Sequence, residues 1–465
     1  MPFSYHKPTS TKCELCDELN ESDQASAIID SHSGKASSAN NFPFHNWYNF
    51  VLGYSPEFPM FMIEREKIVP TDTVLDPFMG TGTTLVCCKS LGIPSQGIDA
   101  NDFMVDVARA KLNWQIDVRV LRNYLHEIVE RAEEEFSKYN WYSSNQGLSA
   151  QLPLTAILND GQTDVRQFVA QRRPKMLEER YISNKPLAKA YIIGDLIDSQ
   201  VIEPEVKHLF EIALTAIIVP ISNIRYGPGF GVVKPKEDVD VLKIFTAKIS
   251  TIIKDIEQVT PQQKRTRADV VLGDSRSLGS QFAPNSVKLM ITSPPYPGDH
   301  EYTKHTRLEL IFRGYARNLN EFRTIKQRLL CSSTTNLYKD DDDKLTVLEF
   351  ESIQNITALI SSRLERDKAT SGFEKLYTKL VWEYFGGMYK TLSECFHVLQ
   401  SGGKIALLVS DSHAFKMVHI QTAEILQEIG LKLGYVTPEI ILWQRKSTTS
   451  HAYMLLENVL ILTKP

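Results

Sequence analysis

The chain has 465 residues, 42% of them hydrophobic and 23% charged, a mixture that builds sizeable cores and excludes wholesale disorder. At roughly 100–200 residues per domain, the length holds two or three compact units or one large domain with an insertion. Lys and Arg total 52 against 56 Asp and Glu, a formal charge of −4, which excludes a histone-like basic protein but permits a local basic face.

Residues 1–40 are rich in Ser, Asn, Asp and Ala and read as a flexible N-terminal arm. Within it, Cys13-x-x-Cys16 is half of a zinc pattern. No second pair follows nearby, and six cysteines in the whole chain make no disulfide framework, so no metal is expected. Order is expected to begin near Asn41, where aromatic residues crowd a short stretch. Residues 73–75 then read as a buried strand, 83–91 as a helix and 93–98 as a second strand ending at Asp99. Asn101 or Asp102 caps a further helix. Such a β-α-β-α unit predicts a parallel sheet with crossovers.

Residues 115–267 break that rhythm and read as a mainly helical insertion, with a Gly/Pro-rich loop at residues 225–231. Strands are predicted again at 268–274 and 287–292. Residues 299–380 are a second, irregular-to-helical insertion, and its acidic run from Asp340 to Asp343 reads as a native loop. The α/β pattern then resumes: a helix at 392–399, a turn at Ser401-Gly-Gly403, a strand at 404–409, a helix at 422–429 and β-rich stretches at 439–444 and 458–463. No apolar stretch, residues 213–221 included, approaches the ~20 residues of a membrane span. No secretory signal opens the chain, so a cytoplasmic protein is expected.

Two motifs carry chemistry. In Asp76-Pro-Phe-Met-Gly-Thr-Gly-Thr-Thr84, Gly80 and Gly82 let the backbone turn tightly against a ligand at the carboxyl end of a strand. The turn lacks the Gly-Lys-Ser/Thr of a phosphate loop, and Leu85 breaks the dinucleotide fingerprint. Asp99 ends the next strand 23 residues after Asp76, where an acid can take both ribose hydroxyls of an adenosine ligand. In Thr292-Ser-Pro-Pro-Tyr296, two prolines fix the backbone and remove two N–H donors. Carbonyls, the Ser293 hydroxyl and the Tyr296 ring remain, a set suited to a flat ring bearing an amino group.

Together, DPFMGTGTT and TSPPY resemble the S-adenosylmethionine (SAM)-dependent DNA amino-methyltransferases, in the form typical of enzymes acting on N4 of cytosine. The resemblance implies a Rossmann-like α/β fold: a mostly parallel twisted sheet with a late antiparallel strand, plus the largely helical insertion. It assigns a discontinuous catalytic domain to residues 41–114 and 268–465. The insertion at residues 115–267 departs from a minimal enzyme of this kind and is the candidate target-recognition region, and the second insertion at 299–380 is a candidate DNA-contacting region on its charge. Ser293, Pro294, Pro295 and Tyr296 are the implied catalytic residues. Asp76, Pro77, Phe78, Gly80, Gly82, Thr83, Asp99, Asp274 and Ser275 are the implied cofactor-binding set, the acid at 274 resembling the one that contacts the SAM adenine. The aromatic stretch 44–54 resembles the segment that closes over the methionine moiety.

The implied chemistry is direct transfer. Hydrogen bonds from the amine to Ser293 and the Pro294 carbonyl free its lone pair for in-line attack, and catalysis is positioning and placed dipoles. No cysteine stands in the Pro-Cys context of a C5 enzyme. The base must be flipped out of the duplex at a cost of a few kcal/mol, with Tyr296 as a stacking platform. Lys304, Arg307, Arg313, Arg317, Arg323, Lys326 and Arg328, against Asp299, Glu301, Glu309 and Glu321, form a local basic cluster, and residues 263–267 form a second. The loop 225–231 and residues 445–449 are further candidate contacts. Double-stranded DNA is the expected partner, together with a cognate restriction endonuclease in a restriction–modification or phage-defence setting. The rival readings are an N6-adenine enzyme, an RNA or protein-glutamine methyltransferase, and an inactive binding scaffold.

Overall fold

The computed structural model describes residues 42–139, 141, 165–226, 230–298, 301–368, 371–447 and 454–465. The expected rhythm is present: β1 (Val74–Asp76) leads through the helix Thr83–Ser90 to β2 (Ser95–Asp99) and the helix Asp102–Leu112. Asn101 caps that second helix, its side-chain oxygen accepting the Phe103 N–H at 3.1 Å. The chain continues through β3 (Ile224–Tyr226), β4 (Phe230–Val232), β5 (Ala268–Leu272), β6 (Val287–Thr292), β7 (Leu399–Ser410), β8 (Val436–Ser447) and β9 (Met454–Thr463). β3 and β4 form a separate hairpin, and the other seven strands make one sheet in the order β5-β2-β1-β6-β7-β9-β8. Every pairing from β5 to β7 is parallel, and β9 runs antiparallel to both of its neighbours. This is the Rossmann-like α/β fold, with a mostly parallel sheet and a late antiparallel strand, that the sequence predicts.

The two-residue period of the strands divides their side chains between the two faces of the sheet. Val74, Leu289, Ile291, Ala406 and Leu408 join Phe58 and Met62 of the helix Glu57–Arg65 on one face. Leu75, Met290, Leu407 and Val409 turn to the other, under the helices Tyr377–Val398 and Thr422–Lys432. Both faces are thus covered, as a parallel sheet requires.

Between the helix Asp102–Leu112 and β5, the described chain is mostly helical, with long members at Val118–Lys138, Asn184–Gln200 and Val241–Glu257. Their buried residues share one continuous core with Phe103, Val107 and Ala108 of the earlier helix. The Gly/Pro-rich loop predicted at 225–231 is in part the β3–β4 hairpin, with Arg225 opposite Gly231. The turn predicted at Ser401-Gly-Gly403 is a bulge inside β7: Leu399 pairs with Val287 and Lys404 with Leu289, so residues 400–403 stand against Lys288 alone. The acidic run is built into the fold, since Asp343 is buried and pairs with Arg276 and Lys390, each at 2.6 Å.

Residues 1–40 with Cys13 and Cys16, and Gly227 to Gly229, Asp299, His300, Thr448 and Thr449, lie outside the described residues. Among the described residues, no helix is long and apolar enough to cross a membrane, and no cluster of His, Cys, Asp and Glu could hold a metal ion.

Candidate active site at the carboxyl edge of the sheet

The carboxyl ends of β1, β2, β5 and β6 open into one cleft enclosing about 860 Å³, part of it open to solvent. Pro77, Phe78, Gly80 and Thr83 border it from the glycine turn, Asp99 and Asn101 from the end of β2, and Gly273 and Ser275 from the end of β5. Ser293 and Pro295 border it from the corner after β6. β1 and β6 are direct neighbours in the sheet, Leu75 lying opposite Met290. The two sequence motifs, about two hundred residues apart in the chain, therefore face one space.

The glycine turn is held by β2. Met79 N–H reaches the Ile98 carbonyl at 3.1 Å, and Gly80 N–H reaches Asp99 Oδ2 at 2.9 Å. Gly82 has φ +82°, and a Cβ there would stand 3.1 Å from the Ala108 Cβ, so the position needs glycine for both conformation and space. The other Asp99 oxygen accepts the Asn101 N–H at 2.8 Å. Burial nevertheless pushes Asp99 up to about 6, against the pull of these backbone donors.

Several expected site residues support the cleft without bordering it. Asp76 is fully buried, and its carboxylate accepts the Tyr54 hydroxyl at 2.6 Å and the Phe78 N–H at 3.1 Å. Burial pushes it to about 6. Through Tyr54, Asp76 holds one end of the aromatic stretch, of which Phe50, Leu52, Gly53 and Tyr54 border the cleft. The Asp274 carboxylate turns to Arg276, at 2.6 Å in the closest contact, and Arg276 in turn bridges to Asp343. Pro294 is buried. The Tyr296 hydroxyl accepts from Ser293 Oγ at 3.2 Å and donates to Glu457 Oε1 at 2.9 Å.

The far wall was not anticipated. Tyr302 borders the cleft, and so do Arg328, Leu329, Leu330, Ser332 and Asn336 from the second insertion. Arg328 pairs with Asp102, and the turn Thr334–Asn336 carries a capping box in which Ser333 and Asn336 bond reciprocally. That Ser-x-x-Asn spacing is the one readable signal for this wall.

Within the predicted basic cluster, Arg313 pairs with Glu211 at 2.9 Å and Lys326 with Glu301 at 3.0 Å. Arg307 lies over the Phe230 and Phe322 rings, and Arg323 over Tyr338. His305 is buried and packs against Tyr226. In the second cluster, Arg267 pairs with Asp269 at 2.7 Å while Arg265 is exposed. Much of the predicted basic charge is therefore matched inside the fold, leaving Arg317 and Arg323 exposed on the first cluster.

The family model described as DNA methylase matches residues 34–110. The chain is 21% identical over 425 residues to the Type II methyltransferase M.AvaI of Nostoc sp. and of Anabaena variabilis, spanning 86% of this chain and 80% of the relative. It is 24% identical over 422 residues to the Type II methyltransferase M.BsoBI of Geobacillus stearothermophilus, spanning 84% of this chain and 79% of that one. Over 94 residues, identity to the Type II methyltransferase M.MjaII of Methanocaldococcus jannaschii reaches 38%, across 20% of this chain and 17% of the relative.

Proposed function

We propose that the chain is a DNA amino-methyltransferase that methylates N4 of cytosine in double-stranded DNA, within a restriction–modification or defence setting in the cytoplasm. The observation that carries this reading is the place of Ser293. It opens the double-proline corner after β6 and borders the same cleft as Gly80 and Asp99. Bound SAM supplies a methyl group already activated on a sulfonium, so the protein need not generate an electrophile. The cleft suits that ligand: it offers a carboxylate at the end of β2, backbone without side chains at the glycine turn, and apolar surface from Phe78, Met79 and Met104.

In this reading Asp99 takes the ribose hydroxyls, while Pro77, Phe78, Gly80 and Thr83 line the donor's path. Gly82 shapes the turn, and Asp76 anchors the aromatic roof through Tyr54. Ser275 and Gly273 flank the adenine side, with Asp274 positioning them from its bond to Arg276. Ser293 Oγ and the Pro294 carbonyl accept from the target amine. Pro295 stiffens the corner, and Tyr296 holds Ser293 by its hydroxyl. Residues 115–267 carry target recognition, and Arg317 and Arg323 of the second insertion meet phosphates.

Methylated duplex DNA digested to nucleosides tests the reading. N4-methylcytosine is expected. N6-methyladenine alone would overturn the choice of base, and label entering RNA or protein but not DNA would overturn the substrate. A pH dependence follows from Asp99. Its carboxyl sits near 6 because it is buried, so it is ionised above that value and protonated below. If the carboxylate accepts the ribose hydroxyls, SAM affinity is full above pH 6 and declines towards about tenfold per unit below it. Calorimetry between pH 5 and 8 reads this directly. Asp99→Asn should bind about 10- to 100-fold more weakly, the worth of a hydrogen bond to a charged group, and lose the pH slope. A wild-type affinity that is flat through pH 6 would remove Asp99 from the ligand.

A further inference from the structure

Glu457 lies on β9, 161 residues beyond the tyrosine it contacts, and belongs to neither sequence motif. It is 3% exposed. Its Oε1 accepts the Tyr296 hydroxyl at 2.9 Å, and its Oε2 accepts the Gln444 amide. The register of the sheet fixes this meeting, because Glu457 pairs with Ser410 of β7 on one side and with Gln444 of β8 on the other.

Counting hydrogens along this chain gives it a direction. A carboxylate has no proton to give, so the single Tyr296 hydroxyl proton points at Glu457. Tyr296 Oη must then accept, and Ser293 Oγ donates to it at 3.2 Å. The only Ser293 hydroxyl proton is thereby committed, and Ser293 can present nothing but lone pairs to the cleft it borders. Burial first, and Glu457 after it, hold the Tyr296 phenol well above its usual range, so it stays a donor.

Resting on the methyltransferase reading above, we propose that Glu457 is a positioning residue for base selection: it orders the protons of the Glu457–Tyr296–Ser293 chain so that Ser293 acts only as an acceptor. An exocyclic amine brings N–H groups to those lone pairs. A carbonyl in the same place brings lone pairs against lone pairs, and a buried site left unpaired in this way rejects its ligand. The device explains how Ser293, beside the Pro294 carbonyl, favours an exocyclic amine over a carbonyl such as that of thymine or uracil.

Glu457→Gln keeps the shape but not the polarity. An amide can donate to Tyr296, which lets the whole chain reverse and turns the Ser293 proton towards the cleft. The test uses the full-length protein with SAM and a duplex carrying its mapped site, with the target base either intact or replaced by its carbonyl analogue, uracil for cytosine or hypoxanthine for adenine. Wild type is expected to bind the amino form about tenfold or more tightly, the worth of one placed hydrogen bond to a buried partner. E457Q should shrink that preference below about threefold, with SAM affinity and melting temperature near wild type, and Tyr296→Phe should lose the same preference. A preference unchanged in E457Q sinks the proposal, and so does a loss of SAM affinity as large as the loss of preference, which would mark Glu457 as merely structural. If the wild type methylates no DNA, the functional reading itself falls; if it does and E457Q still discriminates, only the proton order falls.

Discussion

Gly386→Ala should destabilise the protein by about 3 kcal/mol or more, at the upper end of what overpacking costs, and should weaken SAM binding with it. The sign is unusual. Gly386 lies inside the helix Tyr377–Val398, where alanine is normally better by about 1 kcal/mol. Here a Cβ would stand 2.1 Å from the Asp343 carbonyl oxygen and 2.6 Å from the Lys344 nitrogen, both backbone atoms. That segment cannot yield easily, because Asp343 is pinned by Arg276 and Lys390. Leu330 packs against the neighbouring Gly387 and also borders the cleft, so displacement reaches the ligand wall. Gly387→Ala is the control. Its close contact, 2.4 Å, is to Leu330 Cδ1, the end of a side chain that can rotate, so its cost should be smaller. Thermal melting with and without SAM reads both effects. A G386A protein that melts above wild type would show that the two segments are not packed this closely.

Asp255→Ala should cost about 2–4 kcal/mol and lower SAM affinity by about tenfold or more. One Asp255 oxygen accepts both the Phe44 N–H at 2.8 Å and the Trp47 indole N–H at 2.7 Å. Removing it leaves two buried donors unpaired, at about 1–3 kcal/mol each. Around it, Lys248 Nζ reaches the Asn46 carbonyl at 2.7 Å, and Lys111 Nζ reaches those of His45 and Tyr48 at 3.2 and 3.3 Å. The helical insertion, through Asp255 and Lys248, and the helix Asp102–Leu112, through Lys111, thus grip the segment that runs on to Phe50 and Tyr54 over the cleft. Asp255→Asn retains one acceptor and should recover part of both losses. Denaturant unfolding and SAM titration, measured together, decide the matter: a variant that loses stability but binds SAM normally would show that the roof is held from elsewhere.

β1, β5 and β6 were legible because each carries a short apolar run, whereas β2 is Ser-Gln-Gly-Ile-Asp and was read chiefly from its acidic end. β6 falls at the residues predicted, and Asp99 ends β2 as expected. That the two motifs share a cleft was readable only through resemblance, since no periodicity says which strands become neighbours. The wall from Arg328 to Asn336 was hidden because its residues act through long-range packing. The charge cluster misled for a related reason. A run of Arg and Lys looks alike whether its partners are phosphates or, as for Arg313 and Lys326, carboxylates from elsewhere in the fold. At Ser401-Gly-Gly403 the local signal was true, Gly402 having φ +70°. Yet β6 pairs with the chain on either side of it, so the turn became a bulge.

Among the described strands, β9 is the last to be synthesised and is seated between two that precede it. While it is still within the ribosome, β7 and β8 each carry an edge of unsatisfied N–H and C=O groups, a template for pairing with other chains. The nascent protein is therefore most prone to self-association just before completing its sheet. It also lacks Glu457 at that stage, although the glycine turn between β1 and β2 was made hundreds of residues earlier. On the proton order proposed above, a product truncated before β9 would keep the glycine turn but lack the carboxylate that fixes Ser293 as an acceptor.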